Sequence, residues 1–169
     1  MSAAFQRAAQ ANRFMRPVAV AQTEATFNLV AGFIYAQTVS ALVSLKALEE
    51  LADGPRQTAD LAAAFNMPAR SVEVLMSAAH AIGLVDRRSS GWGLGLKGAA
   101  ILGQGGIAEM VTHHRHLYGD LADPVALLRG EAGPTALSAF WTYTEGAPEE
   151  ADAAPYSALM AASQAFIAH

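Results

Sequence analysis

The 169-residue sequence contains no cysteine, which excludes disulfide bonds, cysteine-ligated metals and cysteine nucleophiles. Charged residues are also scarce, at 15%, whereas 53% of the residues are hydrophobic. The net charge of −4 leaves no basic surplus for binding nucleic acid. Such a composition predicts more apolar surface than one small domain buries, and hence contact with a partner chain or a second domain.

No signal peptide is recognisable, because residues 1–16 mix alanine, glutamine and arginine without an apolar core. We therefore expect a cytoplasmic protein. Residues 25–45 carry no charge over 21 positions, a length that could span a bilayer. Polar side chains such as Asn28 and Gln37 within this run would be costly in hydrocarbon. We predict instead two abutting, heavily buried helices, 18–35 and 37–52, with membrane association left open.

Residues 58–102 have the pattern of a winged helix-turn-helix. A helix starting at Thr58, with Thr58 as its cap, is broken at Asn66-Met67-Pro68, and a second helix follows from Ala69. Its apolar residues recur on one face: Val72, Leu75, Met76, Ala79 and Ile82. The pattern predicts the two strands of a wing, 84–88 and 92–96, around a Ser-Ser-Gly turn. It also predicts a further helix over 97–102.

The outward face of the second helix distinguishes a DNA reader from a packing module. A DNA-binding face needs cations, since phosphate contacts supply most of the affinity. Arg70 is the only cation there, and Glu73 offsets it. Arg87 and Arg88 on the wing are the remaining argument for DNA binding, so a winged-helix transcriptional regulator stays an alternative.

The C-terminal part predicts a loose joint at 103–106, where Gly-Gln-Gly-Gly lacks the context of a phosphate loop. One long helix, 107–129, should follow, kinked at Pro124. His113 and His116 have the spacing of metal ligands, but no third ligand beyond Asp120 suggests itself, so no metal site is predicted. No catalytic triad can be assembled either. A turn at 130–135, an aromatic segment at 137–143 and a helix at 156–168 complete the chain.

Three blocks of the sequence resemble the N-terminal dimerisation domain of class I S-adenosylmethionine (SAM)-dependent O-methyltransferases. The first is LKALEELADGP (45–55) with TADLA (58–62), which is similar to the family's winged-helix entry. The second runs from Trp92 to Leu102, with Gly95 in place of the common threonine. The third is YSALMAAS (156–163), similar to the family's aromatic-x-x-x-Met helix.

Within this family the sequence is most similar to bacterial carotenoid O-methyltransferases, which methylate the tertiary hydroxyl of acyclic carotenoids such as demethylspheroidene. The likeness lies in FIYAQ (33–37), in His113-His114 with LYGDLADPV (117–125), and in YSALMAASQ (156–164). It implies a mainly α fold: a winged helix-turn-helix with flanking dimerisation helices and a small β-wing. The expected regions are an N-terminal arm (1–17), dimerisation helices plus winged helix (18–102), and a helical pocket segment (103–169) leading to a methyltransferase domain.

The resemblance also implies a division of labour. The family binds SAM in a Rossmann-like domain that this sequence lacks, so the cofactor would bind outside the chain, and no catalytic residue is assigned within it. The chain would pair with a second copy and help to enclose a hydrophobic hydroxylated substrate, with no role for nucleic acid and with peripheral membrane contact left open. The expected substrate-binding residues are Met110, His113, His114, Phe140, Trp141, Tyr156 and Met160. Of these, His113 or His114 would orient the hydroxyl. A freestanding dimerising module is a further alternative, disfavoured because the last helical pattern is still running at His169.

Overall fold

The structure is a computed structural model that describes residues 12–140 and residue 161. As predicted, the described chain is mainly helical, with one two-stranded antiparallel sheet. Two compact units, Met1–Thr38 and Val39–His169, divide the chain. The elements are α1 (Arg16–Ser44), α2 (Ala47–Glu50), α3 (Thr58–Ala64), α4 (Ala69–Ala81), β1 (Val85–Arg88), β2 (Gly91–Leu94), α5 (Leu96–Gly103), α6 (Ile107–Asp120), α7 (Pro124–Leu128) and α8 (Ala136–Phe140).

Helix α1 replaces the two abutting helices predicted for 18–52. It runs unbroken through Gly32, because a single glycine costs a helix only about 1 kcal/mol relative to alanine. The actual break comes at Leu45-Lys46, where Lys46 adopts a left-handed conformation with φ 52°. Of the second predicted helix, 37–52, residues 37–44 therefore belong to α1 and residues 47–50 form α2.

The expected heavy burial of the first helix is also wrong for this chain taken alone. From residue 12 to residue 30 every side chain except Ala19 is exposed. Leu29 and Val30 are 83% and 78% exposed, and Phe27 is 65% exposed. By length and composition α1 is the one described helix that could cross a membrane, with 17% of its most apolar window buried.

The hydrophobic core of the second unit lies around helices α3 and α4 and the sheet. The predicted apolar face of α4 is confirmed, since Val72, Met76 and Ala79 are fully buried. Leu42, Leu48 and other buried residues complete this core: Ala47, Leu51, Leu61, Leu84, Val85 and Trp92. Helices α3 and α4 thus share one core with the end of α1 and with α2.

The hairpin β1–β2 gains a third backbone partner from the segment that enters α3. Arg56 and Trp92 exchange two backbone hydrogen bonds of 2.8 Å, which extends β2 on its outer edge. Gly91 makes this pairing possible. Its φ is +127°, and a Cβ there would lie 2.3 Å from the Arg56 carbonyl oxygen.

Gly95 lies at a second close approach between two backbone segments. A Cβ at Gly95 would lie 2.8 Å from the Gly83 carbonyl oxygen and 2.9 Å from the Leu84 carbonyl carbon. The backbone between β2 and α5 is therefore in direct contact with the backbone that follows α4.

The long helix predicted for 107–129 is divided in two. Helix α6 ends at Asp120, and Pro124 occupies the first turn of a separate helix, α7. The Asp123 side chain accepts hydrogen bonds from the amides of Val125 (3.1 Å) and Ala126 (2.9 Å). Because proline is favoured in a first turn and aspartate is a strong N-cap, this pair starts a helix where a kink was predicted.

Several predicted segments lie outside the described residues. They are most of the N-terminal arm, the aromatic segment beyond Phe140, and the helix 156–168, of which only Ala161 is described as helical and exposed.

Helix α5 offers a direct test of close packing, because two of its glycines have opposite surroundings. A Cβ at Gly98 would lie 2.2 Å from the Leu84 carbonyl oxygen, whereas a Cβ at Gly103 would meet nothing within 4 Å. We expect Gly98→Ala to lower the free energy of unfolding by about 1–3 kcal/mol through overpacking. Gly103→Ala should be neutral or stabilising by up to about 1 kcal/mol, because alanine restricts the unfolded chain. Urea unfolding of both variants checks this, and equal effects would contradict the packing account.

Candidate functional site

A cluster of four side chains joins α3, α4 and the hairpin, and we call it the Trp92 cluster: Thr58, Glu73, Arg87 and Trp92. The buried Trp92 indole donates a hydrogen bond to the Thr58 hydroxyl (3.1 Å), which donates in turn to the Glu73 carboxylate (3.0 Å). Arg87 donates to the other oxygen of Glu73, and its guanidinium lies 4.5 Å over the Trp92 ring. Thr58 is therefore not the predicted cap of α3. Gln57 holds the cap position.

The Trp92 cluster engages the cations that would have to contact DNA. Arg87 is ion-paired with Glu73, as well as stacked on Trp92. Arg88 donates to the Leu94 carbonyl oxygen (3.2 Å) and lies 4.0 Å from Asp86. Phosphate binding would have to compete with these contacts, which argues for packing rather than for DNA recognition on this face.

The described substrate candidates lie on α6. Met110, His113 and His114 occupy positions i, i+3 and i+4 of this helix, and all three are half-buried. The helix packs against α8, whose last residue is Phe140. The backbone thus brings Phe140 to the same helix pair, while Trp141, Tyr156 and Met160 lie outside the described residues.

The His113 imidazole differs from an ordinary surface histidine. Burial lowers its pKa below the usual value of 6.5, and the neighbouring His116 and His114 lower it further. The rings of His113 and His116 are 5.7 Å apart between centroids. At neutral pH His113 is therefore held in its neutral form, which can both donate and accept a hydrogen bond.

Within residues 12–140, no three histidine, aspartate or glutamate side chains come together as a metal site. Asp120, the one acidic residue near His116 in the sequence, accepts two backbone hydrogen bonds instead. Its two oxygens accept hydrogen bonds from the backbone amides of Ala136 and Leu137, each at 2.8 Å. Sequence reasoning missed this role. No local signal pointed to it, because the sequence pattern predicted Asp120 inside a helix over 107–129 and its partners lie 16 and 17 residues away.

Two hollows in the described part of the chain are lined by residues other than the predicted substrate residues. One of about 420 Å³ lies along α1, lined by Thr23, Glu24, Phe27, Asn28 and Tyr35. The other, of about 160 Å³, lies between Leu48 and residues 101–109. Drug-sized ligands occupy roughly 300–1,000 Å³, so the second is too small for a long polyene.

The described residues do not fit a SAM site of the Rossmann type. Such a site needs a glycine-rich turn that follows a strand of a parallel sheet. The sheet described here is an antiparallel hairpin, and the segment 103–106 connects two helices, α5 and α6.

Comparison with known proteins links the chain to methyltransferases. It is 40% identical over 168 residues to the demethylspheroidene O-methyltransferase of Cereibacter sphaeroides, covering 97% of this chain and 44% of that protein. Identity to the demethylspheroidene O-methyltransferase of Rhodobacter capsulatus is also 40%, over 97% of this chain and 41% of that protein. The chain thus spans less than half the length of these curated relatives. No family model matches the sequence.

Solved structures agree in fold. The apo SAM-dependent methyltransferase SibL superimposes with a TM-score of 0.63 at 22% identity, over 83% of this chain and 44% of that one. The mitomycin 7-O-methyltransferase MmcR gives 0.64 at 17% identity, over 88% and 46%. The resemblance to SAM-dependent O-methyltransferases, and among them to the carotenoid enzymes, is therefore confirmed.

The Trp92 cluster predicts a specific sensitivity to acid. Hydrogen bonds from Arg87 and Thr58 lower the pKa of Glu73, so the folded protein favours its carboxylate more than the unfolded chain does. The resulting stabilisation is fully present above the ordinary glutamate pKa, about 4.3, and is lost as the pH falls from there through the lower pKa of the folded state. Glu73→Gln should reduce the drop in stability between about pH 6 and pH 3 in urea unfolding. Glu49→Gln, an exposed residue outside the cluster, is the control, and an equal reduction in both variants would refute the assignment.

Proposed function

Because the chain is homologous to demethylspheroidene O-methyltransferases over nearly its whole length, we propose that it is the dimerisation and substrate-pocket part of a SAM-dependent O-methyltransferase. The enzyme would methylate a hydroxyl group of a hydrophobic molecule, with a carotenoid as the favoured substrate. The observation that carries this proposal is 40% identity across 97% of the chain to two enzymes of that name.

Catalysis is assigned to residues outside this chain. The matched relatives are more than twice as long, and the described residues offer no SAM site. One structural neighbour, PigF, was solved with SAH and shares 23% identity with a TM-score of 0.60. We propose SAM as the methyl donor, bound by a separate domain of the whole enzyme.

Homodimerisation is supported by the exposed apolar surface of α1. Large hydrophobic side chains are exposed on this helix and on the two residues before it: Phe14, Met15, Val18, Val20, Phe27, Leu29, Val30, Phe33 and Ile34. A contiguous surface of this kind marks an interaction site on a soluble domain. A second copy of the chain would supply the same apolar surface in return, as a two-fold dimer requires.

A cytoplasmic location with peripheral membrane contact is the setting we propose. Helix α1 has the length and hydropathy to enter a bilayer, but Glu24 and the polar Gln22 and Asn28 lie exposed on it. Burial of those groups in hydrocarbon would be costly, whereas the rim of a dimer interface accommodates them.

The proposed pocket combines apolar walls with neutral imidazole. A substrate hydroxyl must be freed from water and held in line with the methyl sulfonium, so positioning supplies much of the rate. His113 is suited to hold a hydroxyl, because burial keeps it neutral at physiological pH. Met110 on the same face, with Phe140, Trp141, Tyr156 and Met160, would line the polyene.

The helix-turn-helix and hairpin form a winged-helix packing module in this proposal. A DNA-binding regulator is disfavoured by the ion pair between Arg87 and Glu73 and by the net charge of −4.

The pocket is tested in the methyltransferase that contains this chain. Trp141→Ala should raise the KM for the carotenoid by about tenfold or more, since losing one buried hydrophobic contact removes roughly 1.5–3 kcal/mol. His113→Gln should lower kcat or raise the same KM, because His113 is the neutral imidazole proposed to orient the hydroxyl. The KM for SAM should not change in either variant. Val74→Ala, on the exposed side of α4, is the control. Unchanged carotenoid kinetics in both pocket variants would contradict the assignment.

A further inference from the structure

Asp120 lies at an electrostatically unfavourable place for an acidic residue. It is the last residue of α6, where the partial negative charge of the helix C-terminus repels a carboxylate. Something else must therefore stabilise the side chain there. The compensation comes from α8, which begins 16 residues further along the chain.

Both oxygens of the Asp120 carboxylate accept backbone hydrogen bonds from α8. Oδ1 accepts a hydrogen bond from the amide of Ala136, and Oδ2 accepts one from the amide of Leu137, each at 2.8 Å. Hydrogen bonds to an ionised acceptor are among the stronger ones in proteins, and negative charge is favoured at a helix N-terminus. The carboxylate thus connects the end of one helix to the start of another and closes the segment 121–135 into a loop.

Helix α8 has a second, local cap that makes the role of Asp120 clearer. The Thr135 hydroxyl accepts a hydrogen bond from the amide of Ser138 (3.0 Å). The Ser138 hydroxyl donates a hydrogen bond to the Thr135 carbonyl oxygen (2.8 Å). This local pair can start the helix without any distant residue. The hydrogen bonds that Asp120 accepts have a different effect. They fix the position of α8 relative to α6.

We propose that Asp120 is a positioning residue that fixes α8 against α6, the helix that carries Met110, His113 and His114 of the proposed pocket. This inference rests on the proposed function, because it takes α6 and the segment after α8 to be pocket walls. Asp120 itself need not touch the substrate. Its effect passes through the backbone of Ala136 and Leu137 to the position of the five-residue helix α8.

The test uses the methyltransferase that contains this chain and compares three variants with the wild type. Asp120→Ala removes both acceptors, Asp120→Asn keeps one acceptor of the same shape, and Thr135→Val removes only the local cap. We expect Asp120→Ala to raise the carotenoid KM or lower kcat by about tenfold, since misplacement by about 1 Å can cost up to roughly 100-fold. Asp120→Asn should show an intermediate effect, which also covers the case in which the alanine variant fails to fold. Thr135→Val should change the carotenoid kinetics much less, and the KM for SAM should stay constant throughout.

The outcomes separate this inference from the proposed function. If Trp141→Ala impairs carotenoid turnover but Asp120→Ala and Asp120→Asn do not, the pocket stands and the positioning role is refuted. Equal losses in Thr135→Val and Asp120→Ala would also refute it, because general weakening of α8 would then explain both. If Trp141→Ala and the Asp120 variants all leave carotenoid kinetics unchanged, the pocket assignment fails as well.

Discussion

The second unit of the chain depends on one buried aromatic side chain, Trp92. Its backbone pairs with Arg56, its indole donates to Thr58, and its ring carries the guanidinium of Arg87. These contacts join the entry to α3, the hairpin and, through Glu73, helix α4. A winged helix that binds DNA must leave its wing cations available, whereas here they are used internally. The contacts of Trp92 thus stabilise the fold, and they also favour a packing role over DNA binding.

The first unit has the opposite character, because large apolar side chains of its helix are exposed in the part of the chain that the structure describes. Hydrophobic burial drives folding and association alike, so the outward side chains of α1 represent stabilisation that a single copy leaves unrealised. Together with homology to O-methyltransferases more than twice as long, this supports a chain that works through association. One surface would meet a second copy, and another would complete the pocket of a catalytic domain.

Local sequence patterns predicted helices α3 and α4 and the hairpin well, since the periodicity of Val72, Met76 and Ala79 and the turn before Gly91 are local signals. They failed where long-range or competing effects decide. Gly32 did not interrupt α1, and Pro124 started a helix because Asp123 was there to cap it. The two hydrogen bonds that Asp120 accepts could not be predicted from spacing, because the donors lie 16 and 17 residues away. Of the pocket candidates, Met110, His113 and His114 are placed on one helix face, and the pocket itself remains a prediction.

The most direct test of the account is the mass of this chain in solution, measured by size-exclusion chromatography with light scattering. The account predicts a dimer. Replacing the exposed Leu29 and Val30 by lysine should convert it to a monomer, whereas Gln22→Lys, which adds the same charge at an exposed polar position of α1, should leave it dimeric. A wild-type monomer, or a dimer that survives the double substitution, would contradict the claim that α1 forms the interface.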